Sequence, residues 1–260
     1  MDERAGSTTG PGAEPAAETT GPSEPAPDPI RILIAEDQAL LRASFAALMN
    51  AEPDLAVVGQ AVDGAEAVAL AAGVRPDVVV MDIQMPGLSG IEATRRICAD
   101  SALAGTRVLV LTMFEVEDYM LGALRAGASG FLLKDASPQA VVDAVRTVHA
   151  GQSLLSPQVV TTLAARGAGS ACVAGAAGAG PGAVGSAPAL GRLTPRQRDV
   201  LVLIARGLSN AEIEAELGIR RATCRSHITA LLARLGARDR AQLVIAAYEA
   251  GLVRPGNSGN

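Results

Sequence analysis

Five short apolar runs, Ile30–Ala35, Leu55–Gln60, Val78–Met81, Val108–Leu111 and Phe131–Leu133, are each followed by a stretch with helical spacing. The helical stretches lie around Leu40–Met49, Ala65–Ala71, Ile91–Ala99, Tyr119–Ala126 and Ala140–His149. Strands that are apolar at every position, not at alternate ones, need cover on both faces. Strand–helix alternation supplies that cover, so the pattern predicts an α/β doubly wound parallel sheet of five strands. With two Tyr, three Phe and no Trp in 260 residues, small aliphatic side chains must build its core.

The alternation does not run the length of the chain. Residues 1–29 are rich in Pro, Ala, Thr, Ser, Gly and Glu and hold almost nothing large and apolar. Such a segment cannot offset its loss of chain entropy by burial and is expected to be a disordered tail. It also lacks the basic start and apolar centre of a signal peptide. Residues 167–191 carry no charge, but their Gly, Ala, Ser and Pro content suits a flexible linker. A membrane span needs about 20 strongly apolar residues, which this stretch does not supply. Four helical runs follow: Pro195–Arg206, Asn210–Leu217, Arg221–Leu235 and Asp239–Ala250. The expected organisation is a tail (1–29), an α/β domain (30–152), a linker (153–191) and an all-α four-helix domain (192–254).

Charge divides the same way. From Leu190 onward eleven Arg face six acids, a net +5, whereas residues 1–189 hold eleven basic residues and twenty-one acids, a net −10. An acidic front and a basic back suggest two tasks, with nucleic acid a natural partner for the back. Cys98, Cys172 and Cys224 form no CxxC spacing, which argues against a disulfide framework or structural zinc and fits a reducing cytoplasm.

Ligands of a doubly wound sheet sit beyond the carboxyl ends of its strands. Those ends read Glu36-Asp37, Asp82, Thr112 and Lys134, the last being the only Lys in the chain. An Asp after a strand is common turn chemistry, and a lone Lys is usually solvated. It is their gathering on one rim that points to chemistry. Neighbouring carboxylates raise one another's pKa unless a cation sits among them, and Mg2+ is the hard, oxygen-seeking ion such a set would take. Asp82 is then the nucleophile for a phosphoryl group. Glu36 and Asp37 would hold the ion with Asp82 and the Gln84 backbone carbonyl, while Lys134 and Thr112 would bind phosphoryl oxygens.

The segments IRILIAEDQ (30–38), VVVMDIQMPGLSGIEATR (78–95), VLVLTMF (108–114) and AGASGFLLKDASP (126–138) resemble the receiver domain of bacterial two-component response regulators. The resemblance implies a flavodoxin-like fold and a switch made of Thr112 and the aromatic Phe131. On phosphorylation the hydroxyl swings toward the phosphate and the ring turns inward. Gln84 and Met113 depart from the residues usual in close relatives, and both lie near the path of an attacking water.

In the C-terminal part, Thr194-Pro195 with Gln197, and Ser209 with Glu212, are capping-box starts. Gly218 suits a left-handed turn between two helices, the arrangement of a helix-turn-helix. On the next helix Cys224, Ile228, Leu231 and Leu235 form an apolar stripe, making Cys224 a core residue. Arg221, Arg225, Ser226 and Thr229 lie opposite, a face that a DNA major groove accepts. Arg220 and Arg221 stand at the positive helix N-terminus, unfavourable by roughly 0.3–1 kcal/mol each unless phosphates are near.

Residues 193–252 resemble the LuxR-type output domain, which makes the whole chain similar to NarL/FixJ-type response regulators. That resemblance implies that Arg225, Ser226 and Thr229 face base edges, and Arg220, Arg221 and Thr223 the backbone. His227 reads as structural, and the fourth helix (Leu243, Val244, Ile245, Tyr248) as a dimer contact. Arg220 replaces a usual capping Ser, and Cys224 and Arg225 replace Val and Lys. The expectation is a non-enzymatic, cytoplasmic transcription regulator with no membrane association. A sensor histidine kinase would phosphorylate Asp82, favouring a homodimer on double-stranded promoter DNA. Two other classes stay open at this point. An aspartate phosphohydrolase would carry a second Asp where Gln84 stands, and a ligand-sensing LuxR-type regulator would not need Asp82 and Lys134 at strand ends. An atypical, constitutive receiver is a third variant.

Overall fold

The apolar run Val78–Met81 forms the body of the middle strand, Val78–Asp82, in which every residue is buried. A computed structural model of the chain describes residues 28–113, 117–152, 154 and 190–253. The expected tail, apart from residues 28 and 29, and the expected linker, apart from 154, 190 and 191, lie outside these. Five strands, β1 (Ile30–Ala35), β2 (Leu55–Ala61), β3 (Val78–Asp82), β4 (Arg107–Thr112) and β5 (Gly130–Leu133), form one sheet in the order β2-β1-β3-β4-β5. All pairings are parallel. The ladder continues through polar strand ends, pairing Asp82 with Leu111 and Thr112 with Leu133. The apolar pattern alone therefore stopped β3 and β4 one residue short.

Helices α1 (Ala39–Asn50), α2 (Gly64–Val74), α3 (Gly90–Ala99), α4 (Glu117–Arg125) and α5 (Pro138–His149) cover both faces. Alternate strand residues point to opposite sides. Ile32, Ile34, Val80 and Leu111 pack with Phe45, Met49 and Val145 of α1 and α5. Leu33, Val79, Met81 and Val110 pack with Ala67, Ala71, Ile97 and Leu124 of α2, α3 and α4. Side-chain caps start several helices at the site rim: Asp63 accepts from the N–H groups of Ala65 and Glu66, and Ser89 from that of Glu92. Leu154, expected in the linker, instead bridges Gly130 at the edge of β5, and the Phe131 N–H donates to its carbonyl at 3.1 Å.

The second unit holds α6 (Pro195–Ala205), α7 (Asn210–Leu217), α8 (Arg221–Leu235) and α9 (Arg240–Glu249). Both expected capping boxes form, at Thr194/Gln197 and Ser209/Glu212, and Gly218 takes the left-handed conformation at φ 61°. The Tyr248 hydroxyl donates to the Ala205 carbonyl at 3.1 Å and ties α9 to α6. The two units touch where α4 lies on α9. Across this seam Ser129 donates to Asp239 at 2.5 Å, and Gln242 Nε2 donates to the carbonyls of Leu124 and Ala128 at 3.0 and 3.4 Å. Among the described residues no helix is long and apolar enough to cross a membrane.

Candidate functional site

Parallel pairing brings the carboxyl ends of β1, β3, β4 and β5 to one edge of the sheet, and the acids collect there. Carboxylate oxygens of Glu36, Asp37 and Asp82 all lie within 4.8 Å of one another. Glu36 and Asp82 are buried, whereas Asp37 is exposed. Lys134 reaches this cluster from the end of β5: its Nζ stands 2.6 Å from Glu36 Oε2 and 3.0 Å from Asp82 Oδ2, with a side chain only 2% exposed. Its backbone N–H donates to the Thr112 carbonyl at 2.8 Å, so the buried Thr112 flanks the same rim. Phe131 is buried in the core layer shared with α4, and Gln84 is exposed in the loop after β3.

The electrostatics follow from burial. Desolvation pushes the Glu36 carboxyl above its usual range, the hydrogen bond and charge of Lys134 oppose this, and the Asp82 charge adds to it. A buried ammonium between two carboxylates is a paired charge, as interiors require. With an exposed third carboxylate beside it, the cluster presents hard oxygen donors of the kind a divalent cation uses.

Sequence reasoning missed how the backbone here is held. Arg42 on α1 donates from Nη1 to the carbonyls of Glu36 at 2.6 Å and Asp37 at 3.3 Å. Its position one helical turn beyond the acids was the available signal. Gly90, the first residue of α3, lies against the Asp82 backbone so closely that a Cβ would stand 1.8 Å from the Asp82 carbonyl oxygen. Any side chain there would push α3 away from the end of β3.

Comparison with known proteins agrees with this geometry. Residues 32–146 match the response regulator receiver domain, and residues 191–247 match the bacterial regulatory proteins of the luxR family. The uncharacterized transcriptional regulatory protein YxjL of Bacillus subtilis (strain 168) is 36% identical over 87% of this chain and 99% of its own length. This chain belongs to the response regulator family. The transcriptional regulatory protein LiaR of the same organism is also 36% identical, over 86% of this chain and 99% of its own. The oxygen regulatory protein NreC of Staphylococcus carnosus (strain TM300) is 33% identical over 83% and 95%. The protein is thus a two-component response regulator with a LuxR-type DNA-binding domain, a transcriptional regulator and not an enzyme. The phosphohydrolase and the phosphate-independent LuxR-type sensor both give way to that finding.

In the output unit of this response regulator, α8 has the expected two faces. Cys224, Leu231 and Leu235 are buried and Ile228 is half-buried, while Arg220, Arg221, Thr223, Arg225, Ser226 and Thr229 are exposed. Burial pushes the Cys224 thiol up, in keeping with a core role. His227 is half-buried. Arg220 makes no side-chain cap, as its replacement of the usual Ser implied. Arg221 and Arg225 also line a cleft of about 610 Å³ with Glu212 and Glu214 of α7 and Gln152 from the receiver unit.

One expected contact surface is covered here. Leu243, Val244, Ile245 and Tyr248, read as a dimer contact, are all buried within the single chain. The apolar spacing of α9 is spent on packing with α6, α8 and α4. These four side chains are therefore not a free dimer surface in this arrangement.

Proposed function

We propose that this response regulator is a cytoplasmic transcription factor switched by phosphorylation of Asp82, with a sensor histidine kinase as donor. An Asp82 carboxylate oxygen forms a bond to phosphorus as the P–N bond to the kinase histidine breaks, and the product is an aspartyl phosphate. The observation that carries this reading is the buried Lys134 ammonium, 3.0 Å from Asp82 at the carboxyl rim of the sheet. Lys134 and Thr112 would bind the phosphoryl oxygens by charge and hydrogen bond. Glu36, Asp37, Asp82 and the Gln84 carbonyl would hold Mg2+, which when bound neutralises negative charge on the transferring group. The clustered carboxylates fit such an ion.

Thr112 and the buried Phe131 would form the switch. The units would be a tail (1–29), the receiver (30–152), the linker (153–191) and the output domain (192–254). Arg225, Ser226 and Thr229 would read base edges of double-stranded promoter DNA, with Arg220, Arg221 and Thr223 near its backbone. Phosphorylation would favour a homodimer, and paired output domains gain effective concentration on adjacent half-sites.

The test is intact-mass measurement after incubation with acetyl phosphate and Mg2+. The parent protein is expected to gain one phosphoryl group and Asp82→Ala none. An equal gain by the variant would remove Asp82 from the reading.

A further inference from the structure

Beside its apolar packing, the seam between the units carries polar groups that neither the phosphorylation chemistry nor DNA recognition uses. Asp239 precedes α9 and is 2% exposed, yet it is a carboxylate. One of its oxygens caps α9 by accepting the Gln242 N–H at 3.1 Å. The other accepts the Ser129 hydroxyl from the receiver at 2.5 Å. Gln242, also buried, donates its side-chain amide to the Leu124 and Ala128 carbonyls at the end of α4. Arg238 donates to the carbonyls of Leu103 at 2.7 Å and Thr106 at 2.8 Å, below β4. Arg125 pairs with Glu249 at the far end of α9.

Ser129 sits immediately before β5, two residues from Phe131. Any displacement of β5 therefore moves the donor on which the buried Asp239 carboxylate depends. A buried acceptor that loses its donor bears the full cost of desolvation, so this contact resists breaking while the seam stays closed.

We infer that Ser129, Asp239 and Gln242 are positioning residues that link β5 of the receiver to the start of α9, holding the two units together until β5 moves. This rests on the proposed reading of Phe131 as the switch, and it adds the residues through which that switch reaches the output unit. Opening would need the Ser129–Asp239 pair to break, and α9 would keep its cap because Asp239 serves it with a separate oxygen.

The experiment uses the full chain without phosphate and reads the radius of gyration by small-angle X-ray scattering. Ser129→Asp places two carboxylates face to face and is expected to give a larger radius than the parent. Ser129→Ala, which removes only the donor, is expected to fall between them. The reversed pair S129D/D239S restores one donor and one acceptor while Ser still caps α9, and it is expected to return to the parent radius. A merely structural role for Ser129 would not be rescued by that reversal. Should S129D alone prevent folding, Ser129→Ala and the reversed pair decide the matter. Parent-like compaction of Ser129→Ala and Ser129→Asp, or a reversed pair as expanded as Ser129→Asp, would overturn the link. Phosphoryl mass gain on the parent reports separately on Asp82, so the two readings fail independently.

Discussion

Lys134 joins the end of β5 to the end of β1 across the two strands between them, its Nζ 2.6 Å from Glu36 Oε2. The chain's only lysine thus neutralises a buried acid nearly a hundred residues earlier. Removing one partner of a buried pair leaves the other charge uncompensated, a loss of about 3–5 kcal/mol. Lys134→Met is expected to lose stability of that order in EDTA and to recover part of it in millimolar Mg2+. Urea titrations in both buffers measure this, and parent-like stability in EDTA would contradict it.

Gly90→Ala is expected to be more damaging than an ordinary overpacking change, which costs about 1–3 kcal/mol. The clash is with the Asp82 backbone, 1.8 Å away, and no flexible side chain can yield. Loss of the cooperative thermal transition, or of acetyl phosphate-dependent mass gain in any folded fraction, is the expected outcome. A folded variant that gains the phosphoryl mass at the parental rate would show that α3 shifts freely.

Arg220→Ser is expected to stabilise the chain. Arg220 caps α8 with no side-chain bond, and a serine there supplies an acceptor worth about 1 kcal/mol. It also removes a cation from the positive end of the helix. A higher urea midpoint with unchanged slope would agree, and a lower midpoint would not.

A pH effect resides at the base of the receiver, far from the acid cluster. The hydrogen bonds from Arg146 to Asp54, at 2.8 and 2.6 Å, hold the Asp54 carboxyl below its ordinary 3.8. A depressed carboxyl contributes stability above its unfolded value and loses that contribution as pH falls through the folded value. Arg146→Leu is therefore expected to melt below the parent at neutral pH, with the gap narrowing as pH falls below 3.8. Melting curves across that range test the sign, and a gap that widens on acidification would reverse it.

Much of the receiver could be read from local pattern because each strand has an apolar centre and each rim residue ends its strand or follows it directly. Once the sheet is parallel, Glu36, Asp82, Thr112 and Lys134 must share an edge. Caps at Thr194 and Ser209 were equally legible, since a capping box lies within four residues. The partner of α9 could not be read in the same way. Apolar periodicity shows that Leu243, Val244, Ile245 and Tyr248 need a partner, but not which partner covers them.

The order of strands and helices, the gathering of the acids and the two faces of α8 follow from the residues alone, because side-chain period and strand direction are local properties. Tertiary structure decided that Lys134 pairs with Glu36 as well as Asp82, that Gly90 presses on the Asp82 backbone and that α4 covers α9. It also decided that Asp239 meets Ser129, 110 positions away. Contacts of that span depend on how whole elements pack, and packing selects among many partners that a linear pattern leaves equivalent.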